Sequence, residues 1–222
     1  AYRLFDEQNI KIGPVLEDFG KTMLVRQVAE QVKDELSVYS NCLDKPGFID
    51  EVKSLMSEMY QYDVDKDRLG DVLTQLKEEQ SETLLYNKLH DMQLIFNAFD
   101  ERIQDSYIVA EQRTELMADA IPKSKLISNS TIVMDGFTGF TPIQRKVVRA
   151  LLAYAKDVRI IVTIDEKSYY AKKLPEHNLF YLSKQTINYM LEDADASKTV
   201  LKEPIFIGKS AQGRFEEKAL SH

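Results

Sequence analysis

The residues able to do chemistry cluster in Ile132-Val133-Met134-Asp135-Gly136-Phe137-Thr138-Gly139-Phe140-Thr141-Pro142-Ile143-Gln144. An apolar run ends in Asp135, two phenylalanines flank Gly139, and a helix start follows. Nucleotide-binding α/β proteins place a magnesium-handling carboxylate at the C-terminal end of a parallel strand. Asp135 is therefore a candidate metal ligand through water. A strand-end aspartate equally suits capping of the turn, near the Thr138 amide. A helicase motor carries glutamate after this aspartate, to activate water; this chain has Gly136. Phe137 and Phe140 either pack the turn onto a sheet or present a ring on which a base stacks. Thr138, Thr141 and Gln144 add hydroxyl and amide groups beside the rings. Arg145, Lys146 and Arg149 follow on the next helix, either as phosphate contacts or as a solvated face.

Other residues are less suggestive. Gly20-Lys21-Thr22 and Gly208-Lys209-Ser210 look like the ends of phosphate loops, but the earlier glycine such a loop needs is Val15 in one case and Glu203 in the other. Asp165-Glu166 after an apolar run reads as a solvated strand end. His90 and His177 lack partners for a metal site or a nucleophile triad. Cys42 is the single cysteine, which excludes an internal disulfide and a cysteine-rich metal site. The eleven tyrosines are spread along helical patterns and read as packing and interface residues.

The elements that must position the turn fall into two halves. Residues 14 to about 120 read as helix after helix. Pro14 opens the first, with Leu16, Phe19, Met23, Leu24, Val28 and Val32 as its apolar stripe. Pro46 and Gly47 break the pattern. Ile49, Val52, Leu55, Met56 and Met59 mark a second helix; Leu69, Val72, Leu73 and Leu76 a third. A long helix carries Leu85, Leu89, Met92, Ile95, Phe96, Phe99 and Ile103. A last one runs from about Tyr107 to Ala120, ended by Ile121-Pro122. From residue 126 short apolar runs alternate with helices: a strand at Thr131 to Met134, a helix from Pro142 to Lys156, a strand at Val158 to Ile164, and a helix at roughly Ser183 to Asp193. Strand–helix–strand demands a parallel pair. Thr141 with Gln144 three residues on, and Pro142 between, is a capped helix start. The expected fold is thus α/β and predominantly α, with a helical bundle at residues 1–124 and a partial α/β domain at residues 125–222.

The segment DGFTGFTPIQ, followed by VVRALLAYAKDVRIIVTID, resembles the B subunit of the AddAB/RexAB helicase–nucleases. NIKIGPVLEDFGKTMLVRQ at residues 9 to 27 and YIVAEQRTELMADAIPKS at residues 107 to 124 match in the same order. The resemblance covers most of the chain. It implies an internal piece of the N-terminal helicase-like half, with the bundle inserted into a degenerate motor-like domain. It implies an A subunit as motor and heterodimer partner, single- and double-stranded DNA as ligands, and a cytoplasmic setting. In that family the B subunit helps scan the exiting single strand for a short regulatory sequence. ATP with magnesium and an iron–sulfur cluster are implied for the parent complex alone, and no cofactor for these residues. The residue-level reading keeps two rivals open: a fragment of a working superfamily 1 helicase ATPase, and a free-standing helical interaction module.

Composition sets bounds on all three. The net charge of −7 rules out a uniformly basic surface, but not a local stripe of phosphate contacts. A hydrophobic fraction of 44% supports a real core. No apolar run approaches the roughly 20 residues of a membrane span. The start AYRLFDEQ has no signal-peptide pattern, as expected of an excised piece of a cytoplasmic protein.

Overall fold

The computed structural model describes residues 1–78, 83–104 and 106–207. Its elements in order are α1 (Tyr2–Glu7), α2 (Asp18–Gln31), α3 (Phe48–Gln61), α4 (Lys66–Glu78), α5 (Thr83–Ile103), α6 (Ala110–Ala120), α7 (Lys125–Ser128), β1 (Thr131–Asp135), α8 (Pro142–Tyr154), β2 (Asp157–Ile161), α9 (Glu166–Tyr170) and α10 (Tyr181–Ala196). The fold is predominantly α with a small parallel sheet. β1 and β2 pair in register from Thr131 opposite Asp157 to Asp135 opposite Ile161.

The helices α2 to α5 surround one apolar core that includes Val25, Val28, Met56, Ile95, Phe96 and Phe99. Phe96, Phe99 and Ile103 on α5 recur at the three- and four-residue spacing that keeps one helix face inward. Asp91, on the same helix, is fully buried and accepts the backbone N–H groups of Ser37, Val38 and Tyr39 at 2.8, 2.7 and 2.9 Å. Those three bonds compensate its desolvation and pin the loop after α2.

The first expected helix begins later than the sequence suggested. Val15 forms a parallel bridge with Ile108, supported by Leu16 N–H to Ile108 O at 2.8 Å and Ile108 N–H to Pro14 O at 3.2 Å. Extended backbone at residues 14–16 and 107–109 delays α2 to Asp18 and α6 to Ala110. The phase of α2 is then set from Asp18. Lys21, Val25, Val28 and Ala29 are buried, while Phe19 is 77% and Met23 58% exposed, contrary to the expected stripe. Leu55 and Val72, also expected on buried faces, are partly exposed at 40% and 46%.

A second core joins elements distant in sequence. Leu4 and Phe5 of α1, Ala118 and Ala120 of α6, Ile121, and Val147 and Leu151 of α8 form it. The sequence pattern held no sign of α1. Glu7 accepts the Ser124 hydroxyl and the Leu126 N–H, so α1 is fastened to the start of α7. The third core lies under the sheet: Met134, Val148 and Met190, with Ile132, Phe140, Val158 and Ile160 packed on it. The opposite sheet face is open, with Val133 57% and Ile161 45% exposed. Parallel sheets are ordinarily covered on both faces.

Candidate nucleic-acid interface

The turn after β1 is built by one glycine and one cap. Gly136 has φ +77°, in the left-handed region that only glycine adopts cheaply. A glutamate there would carry roughly 1–2 kcal/mol of backbone strain. Glutamate is absent at this position, and the backbone is shaped against it. Thr141 starts α8 with a reciprocal cap: the Thr141 N–H donates to Gln144 Oε1 at 3.0 Å, and the Gln144 N–H donates to Thr141 Oγ1 at 3.4 Å. Both side chains are thus committed to the helix start that the sequence foretold, with Gln144 exposed and Thr141 half-buried.

The two phenylalanines stack, with ring centroids 4.9 Å apart and planes 24° from parallel. Phe140 is half-buried and rests on the core under the sheet. Phe137 lies on Phe140 and is 44% exposed. One ring of the pair packs on the core and the other is exposed. Thr138 is exposed, and its carbonyl accepts the Thr186 hydroxyl of α10 at 2.8 Å. That bond, rather than a cap from Asp135, ties the turn down. The Asp135 carboxylate is exposed and takes no hydrogen bond among the described residues. Nor does any group of three His, Cys, Asp or Glu side chains among those residues have the arrangement to hold a metal ion.

The basic residues of α8 have partners that the sequence could not reveal. Arg145 forks onto buried Asp193 of α10, Nε to Oδ2 at 2.9 Å and Nη2 to Oδ1 at 2.6 Å. Its guanidinium also lies 4.5 Å from the centre of the Tyr189 ring, and Glu192 is 3.8 Å away. Arg149 donates only its Nε–H to Asp193, at 2.6 Å, and its side chain is 51% exposed. Lys146 bridges Asp63 at 2.7 Å and Glu115 at 2.8 Å. Burial pushes the Asp193 carboxyl up, but the hydrogen bonds and charges of both arginines outweigh it, and its net pKa is lowered. The same bonds raise Arg145. Of the three, Arg149 keeps the most hydrogen-bonding capacity for a phosphate.

The other candidates have structural places. Gly20-Lys21-Thr22 lies inside α2, and Lys21 is buried, donating to Ser57 Oγ at 2.7 Å with Glu111 at 3.9 Å. Burial lowers the Lys21 pKa, against the raising effect of Glu111. Asp165 caps α9 through the Ser168 N–H at 2.7 Å and hydroxyl at 2.8 Å, so it is a helix cap rather than a free strand end. Gly208-Lys209-Ser210 lies outside the described residues. One cysteine cannot supply the four thiolates of an iron–sulfur cluster, so these residues do not fit that group. No helix among the described residues is long and apolar enough to cross a membrane.

A family profile described as "ADDB, N-terminal" matches residues 1–222. The chain belongs to this family. A protein of Lachnoclostridium phytofermentans, named as the B subunit of an ATP-dependent helicase/deoxyribonuclease, is 37% identical over 96% of the chain and 18% of its own length. Proteins of the same name are 29% identical in Desulforamulus reducens, over 100% of the chain and 19% of their own length, and 30% identical in Bacillus cereus, over 93% and 18%. The chain thus spans less than a fifth of these curated relatives. Membership of the AddB N-terminal family agrees with the resemblance carried by the DGFTGFTP turn.

Proposed function

We propose that this chain forms part of the single-strand path in the B subunit of a DNA-end-processing helicase–nuclease, and that it does not drive unwinding itself. The observation that carries the reading is the Phe137–Phe140 stack at the carboxyl end of β1, with one ring anchored and the other open. Ligand loops of α/β domains occupy this end of a sheet. A flat, preoriented ring there suits base stacking, which tolerates any sequence. The left-handed Gly136 supports a degenerate motor region, because the backbone disfavours the water-activating glutamate. The open sheet face at Val133 and Ile161 supports a module seated in a larger protein over a free-standing one. An A subunit is the proposed partner and motor. Any ATP, magnesium and iron–sulfur chemistry is proposed for parts of the complex outside these residues.

The test is the assembled full-length complex carrying Phe137→Ala. Binding of single-stranded DNA should weaken by about 1–3 kcal/mol, the worth of one stacked base. Response to the regulatory sequence should suffer more than the unwinding rate. A variant that binds and responds like wild type reduces Phe137 to a surface residue and removes the reading.

A further inference from the structure

We infer that α10 is the second wall of this single-strand path, with Tyr189 as its next stacking platform. The inference rests on the reading of the turn as a nucleic-acid contact and extends it to a helix that no motif marks. The Thr186–Thr138 hydrogen bond sets α10 directly against the turn. Leu182, Thr186, Tyr189 and Asp193 recur at spacings of four, three and four, which places them on one helix face. Thr186 and Asp193 are spent on the turn and on α8. Between and beside them, Leu182 stays 57% and Tyr189 37% exposed.

Tyr189 is prepared as a platform in three ways. The Arg145 guanidinium backs its ring at 4.5 Å, and Arg145 is itself held by Asp193, so the ring has a fixed support. Its phenol hydroxyl has no hydrogen-bond partner among the described residues, and is free to meet a base edge or phosphate. Arg149 lies one step further along, at Asp193, with its Nη groups unpaired among those residues. From Thr186 to Asp193 the helix rises roughly 10 Å, about three nucleotides at the roughly 3.4 Å stacked spacing of one strand. An open ring at the turn, a backed ring on α10 and unpaired guanidinium donors beyond it offer two stacking platforms and one phosphate contact. Glu192 and Asp193 balance the charges of Arg145 and Arg149, so the rings, rather than net charge, select a strand of bases.

The experiment uses the full-length complex with oligonucleotides in which single thymines are replaced by 5-iodo-deoxyuridine, irradiated and mapped by mass spectrometry. Crosslinks at both Phe137 and Tyr189, from iodouracils at different positions, are expected. Crosslinks at Phe137 alone overturn the role of α10 and leave the turn reading standing. Crosslinks at Tyr189 alone support the α10 surface and overturn the turn reading; none at either removes both. In binding assays Tyr189→Phe should lose no more than the single contact of its hydroxyl, while Tyr189→Leu should lose about 5- to 150-fold. Equal affinity of the two variants overturns the stacking role. If Tyr189→Leu proves misfolded by thermal melting, the crosslinks on the unmodified protein decide.

Discussion

Phe137 and Phe140 differ in what lies beneath them, and this separates stability from binding at the level of single residues. Phe140 touches the core under the sheet, so Phe140→Ala removes packing. A fully buried phenylalanine costs about 3–5 kcal/mol on truncation, and half-burial brings the expectation to about 2 kcal/mol. Phe137 rests mainly on Phe140, so Phe137→Ala should change stability by less than about 0.5 kcal/mol. Urea melts of both variants check this directly. Equal losses would mean that Phe137 is a core residue after all. The location of the turn was legible in the sequence, because a strand, a glycine and a proline-led capping box are local signals. Which ring points outward was not, because that depends on Met134, Val148 and Met190 meeting from two helices and a strand.

At the scale of elements, α8 and α10 are joined by a charge that must stay ionised. Asp193 is almost fully buried and answers both Arg145 and Arg149. An unfolded aspartate titrates near 3.9, and the folded value lies below this. Its stabilisation is therefore complete above about pH 4 and is lost as pH falls through the depressed folded value. Asp193→Asn should lower stability at neutral pH by about 2–3 kcal/mol, less than a wholly buried pair because both arginines reach solvent. It should also flatten the acid limb of a plot of Tm against pH below about pH 4; an unchanged acid limb would remove Asp193 as its source. The arginines then part company. Arg145→Ala should mainly destabilise, whereas Arg149→Ala should leave folding nearly intact and reduce the salt dependence of DNA binding by about one phosphate contact. Salt titrations of the complex distinguish the two. The sequence showed both arginines on one helix, but not the aspartate that engages them, since Asp193 lies 48 residues beyond Arg145 and 44 beyond Arg149. The same limit explains α2: its helical period was readable, but its phase was not, because the pairing of Val15 with Ile108 consumed the residues that were expected to start it.

For the whole molecule, the decisive feature is the paired crossing at residues 14–16 and 108. Both chain passages into the helical region run side by side and share backbone hydrogen bonds. The core of α2 to α5 closes at Val109, whereas the far end of α6 packs with α1 and α8. We propose that the autonomous unit is set by this neck and not by the change in sequence pattern near Pro122. A fragment of residues 12–113 retains the neck, the Gln112 cap on the Val109 N–H at 3.0 Å, and Glu111 beside buried Lys21. It should melt cooperatively by circular dichroism. Extending it to residue 122 adds a helix end whose Ala118, Ala120 and Ile121 have lost α8, and should add no cooperative stability. If the longer fragment melts sharply and the shorter one is molten, α6 is integral to the bundle, and the neck is only a crossing point. If the shorter one melts sharply, the helical region is a self-sufficient unit carried on a pair of extended passages, and the aromatic turn after β1 belongs to the part of the chain outside it.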